Sequence, residues 1–146
     1  MIDYLSLKKI TAQHGDEIKT VVSRVIDSGW YLKGEATKRF EAQYASYIGS
    51  RFCIGCGNGL DALTLIFRAY VEMGILQQGD EVIVPANAYI ASILSITENG
   101  LTPVLVEPRA DSLEIDDTLI EQAITPRVKA ILLVHMYGRC AMTSHI

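Results

Sequence analysis

The sequence predicts an α/β fold in which helices flank a mostly parallel sheet, and three observations predict it. Helix-like and strand-like segments alternate along the chain. The strand-like segments "EVIVPA", "TPVLVEP" and "VKAILLVHMYG" are nearly continuous apolar runs, which is how strands covered on both faces of a parallel sheet read. Of the 146 residues, 49% are hydrophobic, ample material for the core of one domain.

The first element is an amphipathic helix over 12–27, with Ile18, Val21, Val22, Val25 and Ile26 at helical spacing, ending at "SGWYLKG". A second helix, "EATKRFEAQYASYIG", stops at Gly49. "RFCIGC" reads as a short strand, and "GLDALTLIFRAYVEMG" as a helix that Gly74 closes. The strand "EVIVPA", a helix over 89–98 closed by "NG", the strand "TPVLVEP", a short helix near "DDTLIEQAI" and the strand "VKAILLVHMYG" follow. No repeat, low-complexity tract or domain linker interrupts this order. In the helix after the glycines, Asp61, Thr64, Arg68 and Glu72 form one narrow polar stripe, and most other positions are apolar. Such a helix needs cover around most of its circumference, which a larger domain or a dimer supplies more easily than a chain this short.

The formal net charge is -4, and no basic run is interleaved with aromatics, so nucleic acid is not an expected partner. No uninterrupted apolar run reaches about eighteen residues. The opening "MIDYLSLKKI" lacks the long apolar stretch of a secretory signal, so the expected location is the cytoplasm, without a membrane partner. Cys53, Cys56 and Cys140 are too few for a disulfide framework. Cys53 and Cys56 form C-x-x-C, and His135, Cys140 and His145 allow a zinc site to be imagined. The downstream spacing matches no common zinc pattern, however, so no metal is expected, and cysteines acting as small buried hydrophobes fit better.

"GCGNGLDAL" carries the chemistry. Gly55, Gly57 and Gly59 weaken any regular element, so the turn they form needs a reason. Asn58 suits a helix N-cap, and Asp61, three residues on, resembles the acidic half of a capping box. The amides of Gly59, Leu60 and Asp61 then point out of the helix start, where an anion such as a phosphate takes them as donors. A tight turn without a ligand is the other reading of the same residues. A dinucleotide fits poorly: the glycine spacing differs from G-x-G-x-x-G, and the next strand carries Asp80 and Glu81 at its beginning but Pro85 and Ala86 at its end. A P-loop would need a Lys-Ser or Lys-Thr that is absent.

In order and spacing, "SGWYLKGEATKRFEAQYASYIGSRFCIGCGNGLDAL", "GDEVIVPANAYIAS", "TPVLVEP" and "VHMYGR" resemble the N-terminal part of the DegT or StrS type of nucleotide-sugar aminotransferases, across almost the whole chain. The "GNGLDAL" variant is similar to the branch that aminates 3-keto sugars linked to dTDP. The resemblance implies the large domain of fold type I, the pyridoxal phosphate-dependent transferases, with residues 1–146 as its N-terminal portion and no second domain. It implies pyridoxal 5'-phosphate as cofactor, bound through the amides of Asn58, Gly59 and Leu60, with Tyr89 of "PANAYIAS" stacking on the pyridine ring. It also implies substrate contacts from Trp30, Tyr31 and Lys33 in "GWYLKGE", and a cofactor-pocket floor near His135 and Tyr137. The implied partners are a nucleotide-linked keto-sugar, an amino donor such as glutamate, and a second subunit in a homodimer.

The chain departs from the family in one large respect. It stops before the acid that pairs with the pyridinium nitrogen and before the Schiff-base lysine, so no catalytic residue is expected within it. None of Lys8, Lys9, Lys19, Lys33, Lys38 or Lys129 sits in the family's lysine motif, and Asp116 and Asp117 follow a different pattern. Thr143 and Ser144 stand where relatives often carry an acid. The expectation is an incomplete portion, inactive alone, of an enzyme making amino sugars for surface polysaccharides or antibiotics. The alternatives are a sugar dehydratase of the same family, or a non-catalytic remnant acting as an interaction module.

Overall fold

The computed structural model describes residues 4–146, so the first three residues of the N-terminal stretch read for a leader lie outside it. The described residues divide at Gly55 into two compact units.

The first unit is helical. α1 (Leu7–Ala12) starts at Ser6, whose Oγ accepts from the Lys9 amide at 3.4 Å. His14 then leaves helical geometry, with φ -127° and ψ 23°, and α2 (Gly15–Ser28) begins after it. The helix expected over 12–27 is therefore α2 alone, because the Ser6 cap nucleates a separate turn upstream. α3 (Glu35–Ile48) ends at Gly49 as its sequence predicts. Ala45 is the one buried residue among those described in this unit. The strand expected at "RFCIGC" does not form. A strand needs a neighbour for its backbone groups, and none of the sheet's strands pairs with this segment.

The second unit (Cys56–Ile146) holds a three-stranded sheet. β1 (Glu81–Pro85) lies in the centre, between β2 (Thr102–Val106) and β3 (Val128–Ile131), both parallel to it. Successive β1 side chains face opposite sides. Val82 and Val84 pack with Phe67 of α4 (Gly59–Glu72) and Ile96 of α5 (Ile90–Thr97). Ile83 packs with Val106, Ile115 and Ile120, the last from α6 (Asp117–Ala123). Helices thus cover both faces, as expected of this α/β fold. Full burial is reached only by β1, since Leu105 and Ile131 on the outer strands are exposed.

β3 is shorter than the apolar run that predicts it. With Ile83 opposite Ile131, β1 ends at Pro85 and leaves little strand to pair with; Leu132 still donates to the Ile83 carbonyl at 2.8 Å. A 3-10 turn, Met136–Gly138, follows. The acids at the start of β1 have structural partners: Glu81 takes Thr125 Oγ1 and Arg127 Nη2, each at 2.5 Å, and Asp80 accepts from the Gln77 amide at 2.9 Å.

Candidate functional site

The glycine turn delivers α4 with a built start. Asn58 is extended, and its Oδ1 accepts from the Asp61 amide at 2.9 Å while its Nδ2 donates to Asp61 Oδ2 at 3.1 Å. The acid therefore answers the Asn58 side chain, and the Asp61 amide is taken by the cap. Of the three amides expected to be free, only those of Gly59 and Leu60 have no partner among the described residues. They stand at the positive end of a 14-residue helix.

Each glycine of the turn has its own reason, and none has a positive φ. The Gly55 amide donates to Glu41 Oε1 at 2.8 Å, a tie within the first unit. A Cβ on Gly57 would lie 2.9 Å from Asp61 Oδ2, so a side chain there would push that carboxylate aside. A Cβ on Gly59 would meet nothing within 4 Å. The space on the side-chain side of Gly59 is open, so a ligand can approach the backbone there.

Tyr89 stands just beyond the carboxyl end of β1, in the extended N-cap of α5, and is 78% exposed. The chain leaves β1 for β2 on one side and returns past it to β3 on the other, so the strand order reverses around β1. The carboxyl edge at such a reversal is where open α/β sheets bind ligands. The loop carrying Tyr89 is pinned by Asn87 Nδ2, which donates to the Leu113 carbonyl at 2.9 Å, with Leu113 at φ 63°. His135 and Tyr137 follow β3 at the same edge. His135 Nδ1 accepts from the Ala141 amide at 3.0 Å, and the Tyr137 ring is exposed. Among the described residues no hydrogen bond or ring contact joins Tyr89 to the glycine turn. An exposed ring at the sheet's ligand-binding side, and two open amides at a helix start, each suit one part of a ring bearing a phosphate.

Trp30, Tyr31 and Lys33 belong to the first unit, whereas Asn58, Gly59, Leu60 and Tyr89 belong to the second. Trp30 Nε1 donates to the Leu32 carbonyl at 2.8 Å, Tyr31 Oη donates to the Ile26 carbonyl at 3.4 Å, and Lys33 has φ 50°. The Trp30 and Tyr31 rings are exposed while their polar atoms brace the loop.

One expectation needs correction. Cys56 and Cys140 are exposed and Cys53 is half-buried, so the cysteines are not core hydrophobes.

A cluster at the start of α6 was missed by the sequence reading. Asp117 is buried and accepts from Thr143 Oγ1 at 2.6 Å; Arg109 forms an ion pair with it, and His145 Nδ1 lies 3.3 Å away. The Thr143 hydroxyl first, then the Arg109 guanidinium, hold its carboxyl below the usual carboxylate range, against the opposing effect of burial. The partners lie 8 and 26 residues away in sequence, beyond any local motif.

A profile of the DegT/DnrJ/EryC1/StrS aminotransferase family matches residues 12–146. A dTDP-3-amino-3,6-dideoxy-alpha-D-galactopyranose transaminase of Aneurinibacillus thermoaerophilus is 53% identical over 99% of this chain and 39% of its own length. A dTDP-3-amino-3,4,6-trideoxy-alpha-D-glucose transaminase of Streptomyces venezuelae is 44% identical over 96% of this chain and 36% of its own. Among solved structures, S. venezuelae DesV superimposes with a TM-score of 0.86 at 43% identity, covering 96% of this chain and 37% of that one. The E. coli GDP-4-keto-6-deoxy-D-mannose-3-dehydratase with bound hydrated PLP gives 0.77 at 30% identity, covering 82% and 31%. No more than 39% of either curated relative's length is spanned by the chain.

Proposed function

From the premise that this chain belongs to the DegT/DnrJ/EryC1/StrS aminotransferase family, we propose that it is the cofactor-phosphate-binding portion of a pyridoxal phosphate-dependent transaminase. The proposed substrates are a nucleotide-linked keto-sugar and an amino donor such as glutamate, and the proposed setting is a cytoplasmic homodimer. Residues 1–146 make up the N-terminal part of that enzyme's large domain. The observation that carries the reading is the pair of unpartnered amides at Gly59 and Leu60, opening on unfilled space at the start of α4.

When bound, pyridoxal phosphate supplies the electron sink and the amino-group carrier of transamination. This chain's residues bind and orient it. The Gly59 and Leu60 amides, with that of Asn58, donate to the phosphate, each charge-assisted bond contributing about 1.5–3 kcal/mol. The Asn58 side chain holds Asp61 turned toward Gly57, which keeps that carboxylate engaged beside the anion. Tyr89 offers its exposed ring as a stacking face at the carboxyl edge of the sheet, held there by the Asn87 tie to Leu113. Trp30, Tyr31 and Lys33 are proposed to meet the sugar substrate.

Dehydration by the same family is the second reading, favoured by the likeness to the GDP-4-keto-6-deoxy-D-mannose-3-dehydratase. The test is amide-resolved NMR of the intact chain titrated with pyridoxal phosphate and, separately, with pyridoxal. Gly59 and Leu60 should shift with the phosphate ester and stay still with pyridoxal. Equal responses to the two compounds, or silence at both amides while other residues respond, would overturn the assignment.

A further inference from the structure

The loops that leave the carboxyl ends of β1 and β2 start side by side, with the Ala86 amide donating to the Val106 carbonyl at 2.8 Å. The second of them is firmly built. Pro108 and Ile115 form an antiparallel bridge, the Arg109 amide donates to the Glu114 carbonyl at 2.8 Å, and the Leu113 amide returns to the Arg109 carbonyl at 2.9 Å. The first loop is tied to it where Asn87 Nδ2 donates to the carbonyl of Leu113, the residue before Glu114. This frame holds Glu114 with 7% of its surface exposed. Both of its carboxylate oxygens, and Asn87 Oδ1, are buried without a hydrogen-bond partner among the described residues.

An ionised carboxylate buried without a partner is among the most costly groups a fold can carry. The loop's own base does not answer it, because the Arg109 guanidinium is engaged by Asp116 and Asp117. All three unanswered atoms are acceptors, so what completes them brings positive charge. All three are also oxygens, two from a carboxylate and one from an amide, the kind of donor set that hard cations take. The imidazole and thiolate ligands that transition metals favour are not among them. One carboxylate balances one positive charge. We propose that Glu114 and Asn87 form a site for a monovalent alkali cation, sodium or potassium, at the carboxyl edge of the sheet. Glu114 supplies the charge and Asn87 Oδ1 a neutral oxygen. Asn87 stands just before Tyr89 in the chain, so the ion also steadies the loop that presents that ring. The site does not rest on the cofactor reading.

The test is amide-resolved NMR of the intact chain, transferred from choline chloride to sodium chloride or potassium chloride at constant ionic strength. Choline has the same charge and is too large for a buried site. The Glu114 and Ile115 amides should shift along a saturable curve with at least one of the two metal ions. Glu114→Gln, which removes the charge and keeps the shape, should weaken that binding about tenfold or more. Asn87→Ala, which keeps the charge and removes one oxygen, should weaken it as well. Absence of a saturable shift with either ion overturns the proposal, as does unchanged affinity in either folded variant. Should Glu114→Gln not fold, Asn87→Ala decides alone: weaker binding supports the site, and unchanged affinity sinks it. Calcium chloride is the last arm, and calcium binding more tightly than both monovalent ions overturns the assignment of charge.

Discussion

The glycines of "GCGNG" look equivalent in sequence, yet they answer to different neighbours. Gly57 is held by the Asp61 carboxylate, which a Cβ would approach to 2.9 Å, and Gly59 by nothing inside the chain. Gly57→Ala should therefore turn the Asp61 carboxylate away from Asn58 Nδ2 while leaving the cap on the Asp61 amide in place, at a cost of about 0.5–1.5 kcal/mol, the net worth of one hydrogen bond. Gly59→Ala should be neutral or slightly stabilising, since alanine at a helix start exceeds glycine in propensity. Urea denaturation of the two variants checks this, and equal destabilisation would refute it. The Asn58 cap was legible in the sequence because capping is local; the Glu41 tie to Gly55 was not, because its partner lies 14 residues back. Asp117 belongs to the same scale. Its carboxyl is held below its ordinary value of 3.8, so it contributes stability that is fully present above that value and is lost as the pH falls through the lower folded value. Asp117→Asn should lower stability at neutral pH and flatten the acid limb of a stability-versus-pH curve. An acid limb identical to that of the parent would remove Asp117 from the account.

Elements were legible where periodicity and a stop signal agreed. α4 ends as its sequence predicts: Gly74, at φ 71°, lets its own amide reach the Val71 carbonyl at 3.0 Å and the Ile75 amide reach that of Tyr70 at 2.9 Å. This double closure needs a left-handed residue, so Gly74→Ala should cost about 1–2 kcal/mol. Phe67, buried against Val82, Val84 and Ile96, is the side chain that ties α4 to the sheet. Phe67→Ala should cost about 3–5 kcal/mol, and Tyr70→Ala, on a partly exposed position, distinctly less; calorimetric melting of both variants decides. Strands were legible only at the centre. An apolar run predicts a strand without saying how much partner it will find. "EVIVPA" found one on each side, β3 stopped near the end of β1, and "RFCIGC" found none. Pairing is a tertiary property, which a short segment does not encode.

At the scale of the molecule the two units differ in how they are held. The second has buried clusters on both faces of β1, whereas the first buries only Ala45 among its described residues. Ile18, Val22 and Ile26 of α2 and Phe40, Tyr44 and Tyr47 of α3 remain exposed, with Phe40 and Tyr44 stacked at 5.6 Å between centroids. α4 adds Leu65, Ile66 and Tyr70, the uncovered side of the helix whose sequence called for cover around most of its circumference. No helix among the described residues is long and apolar enough to cross a membrane, so these faces do not form a span. Apolar surface on this scale drives association in water. The net charge of -4 is too small to oppose it over short range in salt. The 146-residue chain should therefore sediment as a mixture whose mean mass rises with concentration. Its thermal transition should be broad, because the helices before Gly55 have little core to melt with. Replacing Ile18, Val22 and Ile26 together with glutamine should shift the mixture toward monomer and leave the melting of the second unit unchanged. A single monomeric species at every concentration, with one sharp calorimetric transition, would show that these helices are held by more than the burial seen here.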